Sequence, residues 1–259
     1  MRKLPALLAI LCVAVLVPAA ATAQTEPETV TLEASAGMIT IGDDVRLSGE
    51  IAPSTGGQTV EIRDEGDIIV ASTTTGAAGA FSVTIEPEGT RTYRAFWNAA
   101  VSEPLTVRVR AVVSVRMSGV RLFDEVFVRG TVQPARPGRR VEVALMVGGR
   151  VRETQRVEMG SAGGFTATFR AMHVGTYRAR ASFSSPDLLR DSVVSEGSTP
   201  PLPSLRSGSS GPFVELLEQR LVELHYRLAG ARDRKFDFRT ADAVVAFHKV
   251  QRMSRVFSV

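Results

Sequence analysis

The chain has 259 residues, a formal net charge of +4 and a single cysteine, Cys12. That cysteine lies inside an N-terminal apolar run, so the rest of the chain can form no disulfide and its domains are expected to be held by apolar cores alone. The length suits two or three domains, and arginine supplies 28 of the 31 basic residues, which reads as a composition bias before it reads as a function.

In chain order, residues 1–23 come first. Arg2 and Lys3 precede an apolar run from Leu4 to Val17, then Pro18 and small residues ending Ala21-Thr22-Ala23. This is the layout of a secretory signal peptide, with cleavage expected between Ala23 and Gln24. The run falls short of the roughly 20 residues that span a bilayer, so no membrane span is expected after cleavage. Leu11 before Cys12 argues against a lipoprotein.

The charge is uneven along the mature chain. Residues 24–110 hold 6 basic and 13 acidic residues, net −7; residues 111–204 hold 13 and 8, net +5; residues 205–259 hold 10 and 6, net +4. For an exported chain a basic surface points to an anionic wall polymer rather than to nucleic acid.

Residues 24–110 and 111–197 are two copies of one unit. Ile41-Gly42-Asp43-Asp44-Val45 through Gly49 aligns with Leu122-Phe123-Asp124-Glu125-Val126 through Gly130, a shift of 81 that also superposes Gly57, Val60, Glu61 and Ile62 on Gly138, Val141, Glu142 and Val143. After a three-residue insertion Phe81 falls on Phe165, and Thr92-Tyr93-Arg94-Ala95 on Thr176-Tyr177-Arg178-Ala179. Short alternating segments such as Val60-Glu61-Ile62 and Val141-Glu142-Val143, separated by Gly, Pro, Asp and Ser clusters, predict antiparallel β-sandwiches whose cores include Phe81, Tyr93, Val60, Phe165, Tyr177 and Val141. Gly175-Thr176-Tyr177-Arg178-Ala179, and more loosely Gly89 to Ala95, resembles the tyrosine corner of immunoglobulin-like folds, which implies spacing, display or adhesion. Trp97 is expected to plug the core of the first copy rather than to stack on carbohydrate.

Ser, Gly and Pro enrich Ser195 to Ser210, and residues 198–204 read as a linker. Beyond it the period changes to about 3.6, with Val214, Leu217, Leu221 and Leu224 on one helical face and Thr240, Ala243, Val244, Phe247 and Val250 on another. Pro212 suits a first helical turn and Asp237 an N-cap.

Residues 205–259 resemble three-helix peptidoglycan-binding domains. The match runs through Leu205-Arg206, Gly208, Gly211, Val214, Leu217, Leu221, Leu224 and Tyr226, then Asp233, Phe236, Thr240, Ala243-Val244 and Phe247. Glu218 and His248 stand where that family has glutamines, and His225, Arg234 and Asp237 where it has glycines. The family's third helix has no counterpart before Val259, so the module is expected to be C-terminally incomplete. The fold class is thus mainly β, two tandem immunoglobulin-like β-sandwiches followed by a small all-α module.

The order of parts resembles the front of some L,D-transpeptidases, but those enzymes need a cysteine nucleophile, which the mature chain lacks. No Ser-x-x-Lys or His-Glu-x-x-His occurs, and His173, His225 and His248 are scattered, so no catalysis, cofactor or metal is expected. The resemblance implies an exported, non-catalytic protein that binds peptidoglycan or another anionic wall polymer, with the repeats as stalk. The alternative is an accessory or truncated part of a wall-modifying L,D-transpeptidase. The implied binding residues are Arg206, Tyr226, Asp233, Phe236 and Thr240. Equally, Tyr226 and Phe236 could close the small core while Asp233 and Thr240 satisfy backbone groups at turns.

Overall fold

The computed structural model describes residues 27–228 and 233–253. The signal-peptide reading, its cleavage site and the last six residues lie outside them. The chain is mainly β: two tandem immunoglobulin-like sandwiches followed by a small all-α module. In the first repeat the strands are β1 Thr29–Val30, β2 Glu33–Ala34, β3 Met38–Thr40, β4 Val45–Ala52, β5 Thr59–Asp64, β6 Ile69–Thr74, β7 Ala80–Ile85, β8 Arg91–Trp97, β9 Ala100–Val101 and β10 Leu105–Arg110. In the second they are β11 Val112–Met117, β12 Glu125–Gln133, β13 Arg140–Val147, β14 Arg150–Glu158, β15 Gly164–Arg170, β16 Tyr177–Ser185 and β17 Leu188–Val194. The helices are α1 Pro212–Glu223 and α2 Phe238–Val250.

Contacts divide the chain into two compact units. One gathers the described residues up to Glu33 with Leu47–Val83 and Arg94–Pro104; the other holds Ala34–Arg46, Thr84–Tyr93 and everything from Leu105.

In the first unit β1 pairs with β4, Val30 opposite Ile51, and β5 pairs with β6, Glu61 opposite Ser72. Alternation sends Leu47, Ile51, Val60, Ile62, Phe81 and Ala95 inward, all 4% exposed or less. Trp97 is 4% exposed, a core plug as its size favours. Gly49 sits in mid-strand, where glycine ordinarily weakens a sheet. Here a Cβ would collide with the Thr31 carbonyl oxygen and stand 2.7 Å from Cζ of Phe81. The aromatic ring occupies the place a side chain would take.

In the second unit β11, β12 and β15 form one antiparallel sheet, and β14, β13, β16 and β17 form the facing layer. Val126, Val128, Val141, Val143, Phe165 and Tyr177 fill the space between. Gly130 repeats the device of Gly49, a Cβ there colliding with the Ser114 carbonyl oxygen and the Phe165 ring. The Tyr177 hydroxyl donates to the His173 carbonyl at 2.5 Å and accepts the His173 N–H at 2.8 Å, closing a tyrosine corner. Burial pushes this phenol upward, against the opposing effects of the His173 hydrogen bond and the Arg152 charge.

The same unit contains the joint between the repeats. Strand β10 runs parallel to β3, antiparallel to the Arg91–Tyr93 end of β8, and meets β17 in parallel at Arg110 and Leu189. Only Ala111, 1% exposed, separates β10 from β11. Thr90 N–H donates to the Asp187 carbonyl at 2.7 Å. The Arg136 guanidinium donates to the Asp187 carboxylate at 2.8 Å and to the Glu88 carbonyl at 3.0 Å. Burial alone would raise Asp187, but hydrogen bonds from Ser185 and Arg136 outweigh it and hold the carboxyl below its ordinary range.

Candidate functional site

The helical module begins on a loop that folds back along the segment before α2. Gly208 N–H donates to the Phe236 carbonyl at 3.0 Å, Phe236 N–H to the Ser209 carbonyl at 2.9 Å, and Gly211 N–H to the Arg234 carbonyl at 2.9 Å. Pro212 opens α1, where its missing N–H costs nothing. The Asp237 carboxylate caps α2, accepting from the N–H groups of Arg239 at 2.8 Å and Thr240 at 3.2 Å. His225 and Arg234, both at φ 65°, take the left-handed conformation that glycine adopts more cheaply.

The facing helices bury Val214, Leu221, Phe236, Ala243 and Val244, with Leu205, Leu217, Tyr226 and Phe247 packed around them. Glu218 lies in this core, 1% exposed. Its carboxylate accepts the Thr240 hydroxyl at 3.0 Å and the Arg234 N–H at 3.4 Å. A buried carboxylate without such partners would be strongly destabilising. In the sequence Glu218 stands out only as a departure from glutamine. Its position four residues after Val214 and three before Leu221, on the apolar face, was the signal that it is inside.

The five proposed binding residues do not share one open surface. Phe236 is 1% exposed, its ring sealed in the core. Thr240, also 1% exposed, spends its hydroxyl on Glu218. Tyr226 is half-buried, edge-on to Phe247 with centroids 5.8 Å apart. Asp233 is exposed and its carboxylate accepts the Lys235 N–H at 2.9 Å. Arg206 is exposed, its N–H bound to the Ser209 hydroxyl at 3.0 Å. Phe236 and Thr240 thus build the core, Tyr226 packs at its edge, and Arg206 and Asp233 are exposed.

The concave surface lies on the other side of α1. A groove of about 800 Å³ opens between the Phe213, Leu216 and Arg220 face of α1 and the Met172-His173-Val174 turn of the second repeat, with Leu202 and Pro203 along it and Arg152 at its edge. Phe213 anchors this arrangement, its ring edge-on to Phe123 at 5.1 Å. Phe123 holds φ 73° where the aligned residue of the first repeat, Gly42, holds φ 87°. A bulky residue in that region is strained, and the ring contact adds to the hydrogen bonds that hold its backbone, from its N–H to the Ala171 carbonyl at 2.7 Å and from Arg170 to its carbonyl at 3.1 Å. The sequence signal was the replacement of a turn glycine by phenylalanine in an otherwise matched run. The preceding segment is also more built than its composition suggests. Ser198 exchanges two backbone hydrogen bonds with Tyr177, and the hydroxyls of Thr176 and Thr199 meet at 2.9 Å.

Among the described residues no helix is long and apolar enough to cross a membrane, and no cluster of His, Cys, Asp and Glu could hold a metal. No protein-family model matches the chain. No curated protein matches it. Among solved structures, a tetra-tandem repeat from the extending region of a large adhesion protein aligns at 20% identity and a TM-score of 0.40, covering 70% of this chain and 50% of that one. The human OSCAR ligand-binding domain aligns at 15% identity and a TM-score of 0.26, covering 66% of this chain and 97% of that one.

Proposed function

We propose that the chain is an exported, non-catalytic binding protein whose repeats act as a spacer and whose helical module contacts peptidoglycan along the groove beside α1. The observation that carries this reading is the groove itself. Its lining joins the apolar Leu216, Met172 and Val174 to the basic side chains of Arg152 and Arg220, Arg220 donating to the Glu223 carboxylate at 2.6 Å. Peptide stems of the wall present small apolar side chains and carboxylates, which suit the apolar lining and Arg152. The resemblance of residues 205–259 to peptidoglycan-binding domains suggests wall peptide as the ligand class, while the five residues it implies lie outside the groove lining. The spacer role draws on the one-residue connection at Ala111 and on the hydrogen bonds from Arg136 to the Glu88 carbonyl and from the Thr90 N–H to the Asp187 carbonyl.

The test is co-sedimentation with purified peptidoglycan sacculi at low salt, comparing the mature chain with a version ending at Thr199. The mature chain should pellet and the shortened one remain in solution. Equal pelleting of both, or of neither, overturns the reading.

A further inference from the structure

The outward face of the second repeat carries a feature the first lacks. On neighbouring strands β13, β14, β16 and β17, a concavity of about 350 Å³ gathers Arg140, Arg156 and Arg190 with Glu142, Ser182 and Ser184. Glu142 stands opposite both Arg156 and Ser182, so these three form one cross-strand row. The arginines keep 64–71% of their side-chain surface. Their distances to Glu142 and Glu158 are 3.6–3.9 Å, loose exposed pairs too long for hydrogen bonds. Arg190 also donates to the Ser182 hydroxyl at 3.1 Å. Arg190 is thus tethered by Ser182, while most N–H donors of the three arginines face solvent.

The first repeat supplies the internal control. By strand register Arg140 corresponds to Thr59, Glu142 to Glu61 and Arg156 to Ser72. Arg190 and Ser184 have no counterpart, because the hairpin bearing them is longer. A serine hydroxyl closes the same backbone contact in both repeats, Ser102 on Ala95 seven residues away and Ser195 on Ala179 sixteen residues away. The fold is built without the three arginines in one copy, so packing does not explain them in the other.

We infer that this face of the second repeat is a binding site for an acidic polysaccharide, with Arg140, Arg156 and Arg190 taking its carboxylates, Glu142 and Ser184 its hydroxyls, and the buried Ser182 holding Arg190. The central carboxylate selects this class. A polymer bearing only anionic groups meets repulsion from Glu142, whereas a uronic-acid polymer offers hydroxyl donors to it and carboxylates to the guanidinium forks around it. The site deepens the wall-facing reading while using different residues from the groove beside α1.

The experiment is titration of the mature chain with oligogalacturonate at about 20 mM and about 150 mM salt, where screening separates surface charge contacts from buried ones. Double-stranded DNA of equal total charge serves as the comparison polyanion. The variant is Arg140→Thr with Arg156→Ser, which installs the residues the first repeat already accommodates and so preserves folding. The wild-type chain should bind oligogalacturonate more tightly than DNA, and the variant should lose at least about tenfold in affinity. Absence of wild-type binding, an unchanged variant, or DNA binding as tight as the glycan overturns the inference. Oligogalacturonate binding without pelleting on sacculi leaves this site standing and removes the groove assignment, so the two failures are distinguishable.

Discussion

The two repeats differ least where they face inward and most where they face outward. Val60 and Val141, Phe81 and Phe165, Tyr93 and Tyr177 are paired core positions, all 5% exposed or less. Outward, Thr59 and Ser72 of the first copy become Arg140 and Arg156 of the second, and the turn glycine Gly42 becomes Phe123. A duplicated sandwich is held by its buried half, because close packing penalises every change of volume there. Its outer face is left to acquire charge, a longer hairpin or an anchoring aromatic. The first copy reads as scaffold and the second as scaffold with attachments.

The largest test of that comparison removes a paired core residue. Tyr177→Ala and Tyr93→Ala should each destabilise by roughly 3 kcal/mol or more in urea unfolding, as for other buried aromatics. Effects below about 1 kcal/mol in both would contradict the shared core. Next come the paired strand glycines. Gly49→Ala and Gly130→Ala should cost about 2 kcal/mol each, since the added methyl group meets a backbone oxygen that cannot move aside. If only one were sensitive, the two devices would not be equivalent.

Phe123→Gly sharpens the difference between the copies. In the full chain it loses the stack on Phe213 and should be destabilising by about 1 kcal/mol. In a chain ending at Thr199 the stack is already absent, so the same change should relieve backbone strain and stabilise by a similar amount. Equal effects in both backgrounds would show that Phe213 does not hold Phe123 in place.

The smallest effect belongs to the joint. A carboxyl held below its ordinary 3.8 contributes stability above that value and loses it as pH falls through the lower folded-state value. The advantage of the wild-type chain over Asp187→Asn should therefore be constant near neutrality and shrink as pH drops below about 4. An advantage that grew under acid would reverse the sign of the argument.

Much of this was legible in the sequence because it depends on spacing. The shift of 81 located Gly49 over Gly130, the tyrosine pattern located the corner, and Asp237 and Pro212 marked helix starts that the structure has. What was not legible depends on where chain segments meet in space. Ser195 to Ser210 has a linker's composition, yet Ser198 pairs with Tyr177 because an edge of the second repeat is available to it. Matched motif positions in residues 205–259 identified Phe236 and Thr240 but could not say whether a matched residue faces a ligand or the core. Burial assigns both to the core. The groove was missed because half of its wall, Met172 to Val174, comes from a turn about 40 residues before α1.

The most direct test of wall contact along that groove is a sacculus-binding isotherm for the full chain carrying Leu216→Asp and Arg220→Gln. Both residues lie on the groove face of α1 rather than among its buried core positions, and the Arg220–Glu223 pair that is lost is solvent-exposed, so unfolding should shift by less than about 1 kcal/mol. Affinity for sacculi should fall by at least about tenfold. A folded variant that pellets as well as the wild-type chain would contradict the assignment of peptidoglycan contact to this groove.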